Sequence, residues 1–177
     1  KRIMKSLVYV AALTFRRPDG VRTMLESLKT LDCPEGWDVR FLIVDNDPNG
    51  SAESAVAAFR GTLGDRLLYV IEEQAGIPAA RNRALREGIA ADATLLCFID
   101  DDEAPAPDWL SRLVTHREES GAVLIGGPLE RTLSGRPQVS RAVRCRPTCL
   151  RQRTIITPPP RTPTPIRATF VSFAMSV

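Results

Sequence analysis

Leu95-Leu96-Cys97-Phe98-Ile99-Asp100-Asp101-Asp102-Glu103 is the stretch on which the fold turns: an apolar run stops abruptly in four consecutive acids. A short apolar run without alternation fits a strand buried on both faces of a sheet. Pro105 and Pro107 then punctuate the entry to a helical pattern. Adjacent carboxylates repel one another, and a divalent cation gives a reason to gather them. Mg²⁺ and Mn²⁺ take one or two carboxylate oxygens and complete their shell with water and substrate phosphates. The alternative is a polar strand-to-helix loop whose acids favour the positive end of the following helix. On this stretch alone the two stand level.

Upstream, Leu7–Leu13 is a second continuous apolar run, broken by Thr14-Phe15-Arg16-Arg17-Pro18-Asp19-Gly20. Val21, Met24, Leu25, Leu28 and Leu31 follow at helical spacing on one face, and Cys33-Pro34-Glu35-Gly36 ends that helix. Trp37–Val44 reads as a strand finishing at Asp45-Asn46-Asp47-Pro48-Asn49-Gly50-Ser51, with Ser51 as the N-cap of a helix over Ala52–Phe59. A short strand is expected at Leu67–Ile71, then a loop at Glu72–Gly76. The helix Ala79–Gly88 follows, with Pro78 in its first turn and Gly88 near its end. Ala93–Ile99 is the fourth strand, Pro107–Glu119 a helix, and Ala122-Val123-Leu124-Ile125 a fifth strand. Alternating strands and helices predict an α/β domain with a mostly parallel, Rossmann-like sheet and helices on both faces.

The 177 residues suffice for one domain with a real core. No apolar run approaches the roughly 20 residues that span a bilayer. No basic-then-apolar leader with a cleavage site is evident, and the chain opens at Lys1 rather than Met. The expected location is cytoplasmic, with peripheral association at the inner face of the membrane left open. Cys33, Cys97, Cys145 and Cys149 show no disulfide framework. His116 is the only histidine, so four zinc ligands are not assembled, and it is expected to face solvent. Cys97 reads as a small buried hydrophobe.

Charge divides the chain near residue 130. Residues 1–130 hold fifteen Lys and Arg and all twenty-one Asp and Glu, a balance of −6. Residues 131–177 hold nine arginines and no acid, +9, and are dense in proline without hydrophobic periodicity. That tail is expected to be disordered, completed by a partner, or a frameshifted continuation foreign to the domain. Nucleic-acid binding by its arginines ranks last, because Phe170 and Phe173 are its only stacking side chains.

In an open parallel sheet, ligands bind beyond the carboxyl ends of the strands. Thr14–Arg17, Asp45–Asp47 and Asp100–Glu103 all belong to that edge, and Arg81 and Asn82 open the helix before the fourth strand. Arg81, a planar permanent cation, suits phosphate oxygens. Its alternative is surface pairing with Glu72, Glu73 or Glu87, and Asp45 has the alternative of merely ending its strand.

Leu13-Thr14-Phe15-Arg16-Arg17-Pro18, Val44-Asp45-Asn46, Gly76–Asn82 and Phe98-Ile99-Asp100-Asp101-Asp102, in this order and followed by Pro107-Asp108-Trp109-Leu110, resemble the family 2 glycosyltransferases of GT-A fold. The likeness covers residues 7 to about 130. It implies a nucleoside-diphosphate sugar donor, a saccharide, lipid-linked or other acceptor, a Mn²⁺ or Mg²⁺ cofactor, and inversion at the sugar centre. By the same resemblance, Thr14 and Phe15 border the base, and Asp45 accepts its imino hydrogen bond. Arg81 sits beside the diphosphate, Asp100 lies near the ribose, and Asp102, with Asp100, serves the metal. Asp101 is counted with the nucleotide-sugar residues. As metal ligands, Asp101 and Glu103 are bystanders, since Mg²⁺ rarely takes more than two carboxylates. Arg16 stands where the family usually has a smaller polar residue. The family's catalytic base lies well beyond its D-x-D motif, and no acid follows Glu130. The resemblance therefore implies transfer or, as the alternative, nucleotide-sugar and metal binding without turnover.

Overall fold

The computed structural model describes residues 6–122 and 125–126. Within them, β1 (Ser6–Thr14), β2 (Trp37–Asp45), β3 (Leu67–Ile71) and β4 (Leu95–Asp100) form one parallel sheet in the order β3-β2-β1-β4. The helices are α1 (Pro18–Leu28), α2 (Glu53–Ala57), α3 (Arg60–Leu63), α4 (Ile77–Ala90) and α5 (Trp109–Ser120), with a 3₁₀ turn at Gly64–Arg66.

The apolar runs become central strands because both of their faces are covered. Val8, Val10 and Ala12 of β1, Val39, Phe41 and Ile43 of β2, and Leu95, Cys97 and Ile99 of β4 face one core. That core is closed by Val21, Met24, Leu25 and Leu28 of α1, Val56 of α2, and Leu110, Leu113 and Val114 of α5. The alternate residues Tyr9, Ala11, Leu42, Val44, Leu96 and Phe98 meet Ala80 and Ala84 of α4 on the other side. Full burial of a side chain such as Phe41 or Met24 stabilises by about 1.5–3 kcal/mol each. Cys97 is fully buried, and burial pushes its thiol up to about 12.

Strand order positions the site. The chain steps outward from β1 to β2 and β3, then returns to place β4 on the other side of β1. Right-handed crossovers in the two directions put α1 and α4 on opposite faces and open a crevice between the carboxyl ends of β1 and β4. The register brings the strand ends level: Thr14 pairs with Asp45, Leu13 with Asp100, and Asp45 with Ile71.

Several local expectations are corrected. Pro18 starts α1, but the helix ends at Leu28. Lys29, Thr30 and Leu31 then donate to carbonyls three residues back, a tighter turn that keeps Leu31 in the core. The helix expected over Ala52–Phe59 is confined to Glu53–Ala57, with a separate short helix at Arg60–Leu63 beyond it, and Ser51 makes no cap bond because its hydroxyl serves Asp45 instead. The helix α4 runs two residues past Gly88, where an added Cβ would meet Ala93 and Leu96 only at ordinary contact distance. The last helix begins at Trp109, with a 3.0 Å bond from its N–H to the Ala106 carbonyl. His116 is exposed, as expected. Of the expected fifth strand, Val123 and Leu124 lie outside the described residues, while Ile125 is buried in the core. Residues 131–177, with Cys145 and Cys149, also lie outside them.

Candidate functional site

The loop after β1 and the acid turn after β4 are fastened to each other. The Thr14 hydroxyl, buried at the end of β1, donates to Asp101 Oδ2 at 2.8 Å. Arg17, one residue before α1, uses a single nitrogen, Nη1, to reach both Asp101 Oδ1 and Asp102 Oδ2 at 3.1 Å. Gly20 completes the grip: a Cβ there would stand 2.7 Å from the Asp101 carbonyl oxygen, closer than side chains tolerate. Glycine in the first turn of a helix is a weak helix former, and here it lets the acid turn lie against α1.

The acid turn also closes on itself. The Glu103 N–H donates to the Asp100 carbonyl at 3.1 Å, and Glu103 Oε2 accepts the Asp100 N–H at 3.2 Å. Glu103 Oε1 is buried and takes no hydrogen bond. Burial, the Glu103 carboxylate's largest perturbation, pushes its pKa up. Asp100 is also pushed up, first by burial, then by the charge of Asp102, with Arg81 opposing. Asp101 is tied down and nearly buried, whereas Asp102 has about half of its side chain exposed at 51%. An oxygen-only set of crowded carboxylates, one half-exposed, suits a hard divalent ion that keeps water and phosphate in its shell. No group of three or more metal-ligating side chains occurs among the described residues, and Mg²⁺ is commonly held by one or two carboxylates.

Arg81 stands on the α4 side of this turn. Its guanidinium lies 5.8 Å from the Phe98 ring centroid, and its charge acts on Asp100. Two of the three expected surface partners are taken by other residues: Glu87 by Arg83 at 2.7 Å and Glu72 by Arg86 at 2.7 Å. Phe15 is half-exposed on the β1 loop, with the Arg16 guanidinium 4.9 Å over its ring. Arg16 has φ of +56°, a left-handed conformation that asparagine or glycine adopts more readily. It is held there by Asp47 Oδ2 at 3.0 Å and by its own N–H donating to the Ser51 hydroxyl at 3.1 Å. The Asn49 N–H, then Arg16, hold the Asp47 carboxyl below its usual range.

Asp45 is placed differently from the other sequence-derived residues. Its carboxylate is fully buried and accepts from Ala52 N–H at 2.7 Å, Tyr69 O–H at 2.8 Å, Asp47 N–H at 3.0 Å and the Ser51 hydroxyl at 3.3 Å. Burial, then Asp45, pushes the Tyr69 phenol well up, so it stays a donor. To accept a base, Asp45 would have to surrender one of these bonds. Its neighbour Asn46 braces three loops. The backbone N–H of Asn46 donates to the Thr14 carbonyl at 2.8 Å, its Nδ2 donates to Glu72 and Gln74 carbonyls at 2.8 and 2.7 Å, and its Oδ1 accepts the Gly76 N–H at 2.7 Å.

The structure therefore brings Thr14, Asp100, Asp101, Asp102 and Arg81 around the β1–β4 crevice edge. It sets Asp45 into the floor of the adjoining loop. Arg17, Gly20 and Asn46 are the contributors that sequence reasoning missed. Gly20, a poor helix former in a first turn, was the one available signal of a close backbone approach.

The glycosyl transferase family 2 model matches residues 9–173. Succinoglycan biosynthesis protein ExoM of Rhizobium meliloti is 34% identical over 120 residues, 68% of this chain and 38% of that protein. Glycosyltransferase AglE of Haloferax volcanii is 26% identical over 125 residues, 71% of this chain and 40% of that protein. The chain thus spans about two fifths of the length of these curated relatives. Among solved structures, S. aureus TarS superposes with a TM-score of 0.60 at 22% identity, covering 76% of this chain and 39% of TarS. Its complex with UDP superposes with a TM-score of 0.59. That likeness carries the GT-A-like, Rossmann-like fold, and the family match with the ExoM relationship carries the identity: the chain belongs to glycosyl transferase family 2.

Proposed function

We propose that this chain forms the donor-binding part of a metal-dependent, inverting glycosyltransferase that takes its sugar from a nucleoside diphosphate. The observation that carries this is the locking of the β1 loop onto the acid turn at the switch point of the sheet, through Thr14 and Arg17 to Asp101 and Asp102. Such an edge binds nucleotides in open α/β sheets. Thr14 and Phe15 border the base, and Asp45 acts by fixing the loop beneath it. Arg81 offers its guanidinium to the diphosphate, and Asp100, beside the ribose, shares the cation with Asp102. Bound there, Mn²⁺ or Mg²⁺ would supply Lewis-acid stabilisation of the departing diphosphate. A saccharide, lipid-linked or other acceptor hydroxyl would attack from the opposite side of the sugar centre, deprotonated by a carboxylate. No helix among the described residues is long and apolar enough to cross a membrane.

TarS has been crystallised with UDP and with UDP-GlcNAc, which supports testing uridine donors first. The test is calorimetric titration with UDP-, GDP- and dTDP-sugars, with and without Mn²⁺. We expect cation-dependent binding of one of them, lost in Asp102→Ala, and binding by none overturns the proposal. Release of nucleoside diphosphate when an acceptor is added separates transfer from the second reading, donor binding without turnover. That reading draws on residues 131–177 of this chain, which carry nine arginines and no acid.

A further inference from the structure

We propose that Arg17 is a positioning residue that occupies the cation's electrostatic place at Asp102 and yields it when the cation binds. This inference rests on the donor-site reading above. One nitrogen of Arg17 bridges Asp101 and Asp102 at equal distances of 3.1 Å, but the two legs are unlike. The Asp101 side chain is only 8% exposed and its other oxygen is already held by Thr14, so that leg anchors the arginine. The Asp102 leg is open to water, with 59% of the Arg17 and 51% of the Asp102 side chain exposed. Exposed ion pairs are weak and readily exchanged.

Arg17 is also aimed by its backbone. It immediately precedes Pro18, whose ring fixes the start of α1, and the Val21 N–H donates to the Arg17 carbonyl at 3.1 Å. The guanidinium therefore waits at the acid turn without needing to be recruited. Before the donor arrives, Arg17 neutralises crowded carboxylates and points Asp102 along the turn. A divalent ion displaces it from Asp102 alone, while the Asp101 leg keeps the turn in place. A consequence follows for affinity: without nucleotide, the cation must compete with a resident positive charge.

The experiment is electron paramagnetic resonance titration of free Mn²⁺ into the full chain, without nucleotide, for wild type, Arg17→Gln, Arg17→Lys and Asp102→Asn. Removing one positive charge about 5 Å from a divalent ion in water should tighten binding roughly five- to fifteenfold. Arg17→Gln should therefore bind Mn²⁺ more tightly than wild type. Arg17→Lys, which keeps the charge on a single donor nitrogen, should leave Mn²⁺ affinity near wild type. A residue that merely scaffolds the turn gives the opposite sign, so unchanged or weakened Mn²⁺ binding in Arg17→Gln overturns the inference. If Arg17→Gln does not fold, Arg17→Met, likewise uncharged, decides by the same sign. Asp102→Asn should abolish binding. If it leaves Mn²⁺ binding intact, the donor-site reading itself falls, and the two failures are thereby distinguished.

Discussion

Asp45→Ala separates a side chain that builds the site from one that reads the ligand. In the wild type the carboxylate is fully buried and accepts from two backbone N–H groups, the Tyr69 phenol and the Ser51 hydroxyl. Ser51 also accepts the Arg16 N–H, so it keeps a partner without Asp45. The other three donors do not. Each buried donor left unsatisfied costs about 1–3 kcal/mol. Water entering the small void and the relieved desolvation of the carboxylate hold each near its lower bound, for a total of about 3 kcal/mol. At about 4 °C per kcal/mol for a domain of this size, the melting temperature should fall by roughly 12 °C. Urea unfolding followed by the fluorescence of the buried Trp37 measures the same loss as a lower midpoint at unchanged slope. Asp45→Asn, which keeps one carbonyl acceptor, should lose less. A variant that unfolds within about 1 kcal/mol of wild type while losing nucleotide affinity would refute the structural assignment of Asp45.

Three further outcomes follow from the same geometry. Gly20→Ala should reduce donor affinity, because its Cβ would meet the Asp101 carbonyl at 2.7 Å. The overpacking cost of about 1–3 kcal/mol exceeds the gain in helix propensity, and wild-type affinity and melting temperature together would contradict it. Asn46→Ala should lower the melting temperature and weaken nucleotide binding, by loss of its bonds to Glu72, Gln74 and Gly76. Calorimetry on the folded variant checks the second effect. Asp100→Asn should melt above wild type at pH 7 without metal. The folded pKa of Asp100 lies above its unfolded value, so the folded state binds more protons and loses stability as pH rises through that window. The neutral amide removes the loss, and the advantage should disappear at about pH 3, where the wild-type carboxyl is protonated in both states. An equal advantage at both pH values would contradict the cause.

The architecture was legible because its strands announce themselves. Leu7–Leu13, Phe41–Val44 and Leu95–Ile99 are apolar on successive residues, which a strand covered on both faces requires. The helix after Arg17 shows one clean apolar face. Periodicity gives no warning of an early end, so the helix expected over Ala52–Phe59 came through longer than the Glu53–Ala57 that forms it. At the site, residue type and order picked out the acid turn and Thr14. Residue type did not show that Asp101 is tied down while Asp102 is exposed, since neighbours in sequence differ here only in what lies across the crevice. For the same reason Asp45 looked like an open acid although its partners come from Ser51, Ala52 and Tyr69. Arg17 was visible as a residue but not as a bridge, because its partners lie more than eighty positions away.

The bracing by Asn46 has a consequence for timing. One residue ties the end of β1 to the segment that leads into α4, through the Thr14 carbonyl on one side and the Gly76 N–H on the other. The end of β1, with Thr14, and the start of α4, with Arg81, are therefore geared together rather than hinged separately. Amide hydrogens at Asn46 and Gly76 should exchange with solvent deuterium at a common rate, and that single clock would set how often both walls of the crevice open.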